Sequence, residues 1–78
     1  MHQVVIVAGR QWSWDIKPEV ISAGSPVEFR VTSLDVNHGF AIYAPDGRIE
    51  TKTQAMPGFT NKIVHTFTQP GAYPVMRL

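Results

Sequence analysis

The sequence predicts an all-β sandwich of about seven strands, and three observations predict it. Apolar residues alternate or cluster in runs of about five to seven; Gly, Pro, Asn and Asp separate those runs; and no segment keeps a helical period long enough to build a helix. At 78 residues with 44% hydrophobic and 17% charged side chains, the chain has the composition of one compact globular domain spanning 1–78, near the lower size limit for a single core.

The elements follow in order. Val4 to Ala8 is a β-branched run, and Gln11 to Ile16 alternates with Trp12, Trp14 and Ile16 on one side. Val20 and Ile21 lead into the turn Ala23-Gly24-Ser25-Pro26. Val27, Phe29 and Val31 then share one face while Glu28, Arg30 and Thr32 share the other, the clearest half-buried strand in the chain. His38 to Tyr43 is a short strand closed by Ala44-Pro45-Asp46-Gly47, whose Pro and Asp-Gly suit a hairpin turn. Arg48 to Thr51 is followed by a loop over Gln54-Ala55-Met56-Pro57-Gly58, a strand over Asn61 to Phe67, the turn Gln69-Pro70-Gly71 and a last strand over Ala72 to Leu78. The predicted core is Trp14, Val27, Phe29, Val31, Phe40, Ile42, Val64 and Phe67.

Composition excludes several function classes. A formal charge of +1 provides no field for nucleic acid or an anionic membrane. The absence of cysteine removes disulfides, thiolate ligands and a cysteine nucleophile together. Asp35 and Asp46 fit turn positions and have no nucleophile beside them, and glycine-rich phosphate loops are absent, so no hydrolytic or nucleotide site is expected. No apolar run reaches the roughly 20 residues of a membrane-spanning helix, and Met1-His2-Gln3 does not begin a signal peptide, so the chain as written is expected to be soluble.

Four motifs stand in order along the chain: Gln11-Trp12-Ser13-Trp14, Val31 to Phe40 with Asp35-Val36-Asn37-His38 inside it, Gln54-Ala55-Met56-Pro57-Gly58, and Thr66 to Tyr73 with its Gln69-Pro70-Gly71 turn. Together they resemble the copper domain of cytochrome c oxidase subunit II, over nearly the whole chain. The resemblance implies a cupredoxin-like Greek-key β-sandwich and a domain that accepts electrons from cytochrome c through a dinuclear copper (CuA) centre. In that family two bridging thiolates, two imidazoles and weak axial ligands hold the coppers with little change of geometry between redox states.

Residue by residue, the resemblance gives His38 as the first metal ligand and Trp12 as the residue through which electrons come in. It sets Gln54 to Gly58 against oxidase subunit I, and it puts the domain on the periplasmic or intermembrane-space side of a membrane. The family's remaining ligands lie on a Cys-x-x-x-Cys-x-x-x-His-x-x-Met loop, whose first cysteine falls by count on Arg77, so the sandwich is expected to lack its final part and the chain to bind no CuA and be redox-inactive alone. Met56 is expected to pack in the core or an interface, and His2 and His65 to face solvent. An alternative function is a copper-free cupredoxin-like interaction module, and a further expectation is self-association through an open sheet edge.

Overall fold

The computed structural model describes residues 2–77. Among them seven strands form two sheets: β1 (Gln3–Arg10), β2 (Ser13–Lys17), β3 (Val27–Ser33), β4 (His38–Tyr43), β5 (Ile49–Ala55), β6 (Asn61–His65) and β7 (Val75–Arg77). The larger sheet has the order β2-β1-β3-β6 and the smaller β5-β4-β7. Strands β1 and β3 run parallel, and every other pair is antiparallel. Among the described residues the architecture is all-β without a helix, consistent with a cupredoxin-like sandwich.

Alternation determines which side chains fill the space between the sheets. In β1, Val5 and Val7 point inward while Val4 and Ile6 face solvent; in β3, Val27, Phe29 and Val31 are buried. From the smaller sheet Phe40, Ile42 and Ala55 meet them, and Phe67 closes the cluster. Each fully buried Val or Phe stabilises the fold by roughly 1.5–3 kcal/mol relative to exposure, which is how so short a chain sustains a core. The rings stack edge-on, with Phe29 6.1 Å from Phe67 and Trp14 5.1 Å from Phe40.

Several expectations are corrected. Val64 is 55% exposed, because β6 places Asn61, Ile63 and His65 opposite Val31, Phe29 and Val27, and a period of two turns the residue between them outward. The same parity half-buries His65, expected in solvent, where it pairs with Glu50 of β5 at 2.9 Å and clips the two sheets together. Trp14 is only partly buried, lying at the rim of the core. Trp12 does not share a strand with Trp14 and Ile16 but occupies the two-residue turn between β1 and β2. Residues 49–55 form one strand that takes in Gln54 and Ala55, β6 stops at His65, and the last strand covers only Val75–Arg77, with Leu78 outside the described residues.

Candidate metal-ligand site at the start of β4

Three connections gather at one end of the sandwich: the Gln11-Trp12 turn, the 34–37 loop and the 56–60 loop. Backbone bonds tie them to the sheet ends, from Leu34 N–H to the Gly9 carbonyl at 2.7 Å and from Ser33 N–H to the Met56 carbonyl at 3.2 Å. The Thr32 hydroxyl adds bonds to the Met56 and Phe59 carbonyls. Met56 is half-buried here, in line with a packing role.

Asp35 is the hub of this end. Its Oδ2 accepts the Gln11 N–H at 2.6 Å, and its Oδ1 accepts the Val36 N–H at 2.7 Å. The Ser33 hydroxyl lies 3.2 Å from Oδ1 and also reaches the Val36 carbonyl. His38 Nε2 completes the set, 2.7 Å from Oδ1. The Gln11 N–H, helped by His38, Val36 and Ser33, outweighs the partial loss of water and holds the Asp35 carboxyl well below the usual carboxylate range. As expected, Asp35 is a turn residue; its grip on His38 is what the sequence reading missed, although an acidic residue three positions before a histidine was a usable signal.

His38 opens β4 with only 7% of its side chain exposed. The Trp14 indole approaches it edge-on at 6.1 Å, and the Arg77 guanidinium lies 5.6 Å above the indole and donates to the Arg10 carbonyl. Trp14 fits because its cross-strand neighbour is Gly9, where a Cβ would collide with the indole. Arg77, reached by count as the family's first cysteine position, is thus a cation beside the Trp14–His38 pair.

Trp12 is 90% exposed and held at φ 76°, in the left-handed region that a bulky residue rarely adopts. Such strain concentrates at functional positions. The Gln11–Asp35 bond ties this turn to the loop that carries His38. His2 is exposed and precedes the first residue of β1, at the opposite end of that strand from the cluster.

At the other end of the sandwich an apolar groove of about 550 Å³ opens between the sheets, lined among others by Val5, Ile16, Phe29, Ile42, Tyr73 and Val75. It runs beside β7, whose outer edge pairs with no other strand among the described residues.

No protein-family model matches the chain. The chain is 28% identical over 72 residues, 92% of its length, to cytochrome c oxidase subunit 2 of Thermus thermophilus, and equally to the protein of the same name from a particular strain of that species. It spans 50% and 40% of those two relatives, so the relationship is distant and concerns about half of each or less. Within these 78 residues the donor set does not fit a dinuclear copper centre: cysteine is absent, and among the described residues no three His, Cys, Asp or Glu side chains converge. No helix among the described residues is long and apolar enough to cross a membrane.

Proposed function

We propose that this chain is an electron-transfer domain of the cytochrome c oxidase subunit II kind that supplies one copper ligand, His38, and depends on thiolates outside these 78 residues for a CuA centre. The observation that carries the proposal is the seating of His38: a buried imidazole, bonded to a carboxylate and packed against Trp14. A carboxylate behind a histidine is the usual outer support of a metal ligand. Trp12 is the residue through which electrons from cytochrome c come in; its exposure and its strained backbone support that role. The Gln54–Gly58 segment faces oxidase subunit I, and the domain lies on the periplasmic or intermembrane-space side, both as the resemblance implies. Alone, the chain forms no CuA and is not redox-active.

Replacing Arg77 and Leu78 with the corresponding segment of the Thermus relative, from that point to its end, tests this reading. The hybrid is expected to turn purple with copper and to show a delocalised mixed-valence resonance that His38→Ala abolishes. A hybrid that folds and stays colourless, or one indifferent to His38→Ala, refutes it.

A second reading is a copper-free module that binds through its sandwich, and the groove beside β7 favours it. Among the described residues the groove is mostly apolar, Glu19 is the only charged residue on its wall, and the adjoining strand edge is free. At a net charge of +1 the molecule as a whole raises no large like-charge barrier to a second copy adding its own edge there. Sedimentation at rising concentration separates self-association through that edge from the module: a dimer that Met76→Pro disperses supports the open edge, and a monomer throughout eliminates the open edge and supports the module.

A further inference from the structure

We propose that the outer face of the β2-β1-β3-β6 sheet is a docking surface for a protein partner that presents carboxylates around a small apolar centre. The strand period that buries one set of side chains turns a second set outward on the same strands. The register arranges that second set in rows. One row runs Lys17, Ile6, Arg30, Lys62 across all four strands, and the next runs Val4, Glu28, Val64. Val4, Ile6 and Val64 are 38%, 48% and 55% exposed, an apolar patch set among the charges. The charges themselves are unevenly matched. Glu28 is paired with Arg30 at 2.6 Å and Asp15 with Arg10 at 2.7 Å, whereas Lys17 and Lys62 are exposed and have no ion-pair partner among the described residues. Four cations against two carboxylates give this face a formal +2; the three cations and four carboxylates elsewhere give −1, so the chain's +1 conceals a polarity.

Charge complementarity selects the partner. Carboxylates would answer Lys17 and Lys62, which three strand spacings put about 14 Å apart with Ile6 between them. Apolar contact at the centre with charges around it is the anatomy of a protein–protein patch. A lipid surface fits less well, because insertion uses Trp, Phe or Leu and this face offers only Val and Ile. Nucleic acid fits less well too, since no aromatic ring stands on the face to stack a base. Four strands in width and the eight residues of β1 in length make a face of about 400 Å², half of what each side of a stable complex buries. The association is therefore weak and sensitive to salt.

Titrating the nitrogen-15-labelled chain with a synthetic amphipathic helical peptide that carries leucine and glutamate on one face tests this, with phosphatidylglycerol vesicles and a DNA duplex as rival probes. The amide signals of Ile6, Lys17, Arg30, Lys62 and Val64 should move together and saturate, while those of Trp12, Val36 and Tyr73 stay in place. Binding should weaken several-fold between about 0.01 M and 0.15 M salt, over which the screening length falls from about 30 to 8 Å. Lys17→Gln with Lys62→Gln should weaken it about tenfold without moving the core signals of Val7 and Phe40, and either substitution alone about threefold, which keeps the test open if the double variant does not fold. Absence of binding by the peptide, shifts confined to another surface, indifference to the Lys17 and Lys62 variants, or tighter binding of the vesicles or the duplex overturns the proposal.

Discussion

The two ends of the sandwich are held by different forces. Around His38, the β1–β2 turn and the 34–37 loop are joined through one ionised side chain, Asp35, which accepts from two backbone N–H groups and the imidazole at 2.6–2.7 Å. Around the groove, the 18–26 connection is held by a neutral amide: Gln3 bonds Ser22 through both its oxygen and its nitrogen, and Gly24 N–H reaches the Phe67 carbonyl. Much of the rest of that end is apolar surface, including Val20 at 84% exposure, and its one charged clip among the described residues is the His65–Glu50 pair at 2.9 Å beside Phe67. Charge-assisted bonds are short and directional, so they fix a ring in one orientation. Apolar surface has no such directionality and accommodates whatever strand or side chain covers it. One end therefore suits a ligand that must not move, and the other suits association.

The largest expected effect is at the floor of the groove. Phe67 packs against Phe29, His65 and Tyr73, and Phe67→Ala should cost about 3–5 kcal/mol in urea denaturation. A loss under about 1 kcal/mol would mean that the groove end is not part of the shared core. On the His38 side, Gly9→Ala should cost about 1–3 kcal/mol, because the new methyl group displaces the Trp14 indole. Near-ultraviolet circular dichroism and the His38 ring shifts should change with it, while the Tyr73 signals at the groove stay in place.

Acid separates the two ends next. The folded Asp35 carboxyl is held below its ordinary range, so its contribution to stability is complete above the unfolded pKa of about 4 and declines as pH falls toward the folded value. Glu28 beside Arg30 and Asp46 beside Arg48 shift in the same direction. Unfolding midpoints should therefore fall below about pH 5, and Asp35→Asn should flatten part of that fall. Hydrogen exchange at Gln11 and Val36 should accelerate first; faster exchange at Gly24 before either would reverse the assignment. The smallest effect is expected at Val20→Ser, within about 0.5 kcal/mol of wild type, yet with weaker binding of an apolar fluorescent dye to the groove.

How much of this was legible in the sequence depends on where each residue's partners lie. β3 and β4 were plain, since Val27, Phe29 and Val31 alternate strictly and His38–Tyr43 ends at a turn whose Pro45-Asp46-Gly47 chemistry is local. β5 was not plain. Its run Glu50-Thr51-Lys52-Thr53-Gln54 carries no apolar alternation, because an edge strand with Ala55 as its one fully buried side chain needs none. Trp12 was placed on the correct segment but on a strand, because the left-handed turn uses no glycine or asparagine. The Gln11–Asp35 bond and the His65–Glu50 clip join residues 24 and 15 positions apart, and no local pattern announces such pairings. His38 as a candidate ligand came from the resemblance; the carboxylate behind it came from the fold.

The central claim is that His38 is one prepared copper ligand in a chain whose own donors cannot complete a two-copper centre. Visible and electron spin resonance spectra of the 78-residue chain titrated with copper test it most directly. A pale blue, localised copper(II) signal that weakens in His38→Ala is expected, with no sulfur-to-copper charge-transfer band, because there is no thiolate. An intense purple band with a delocalised mixed-valence resonance in this chain would contradict it.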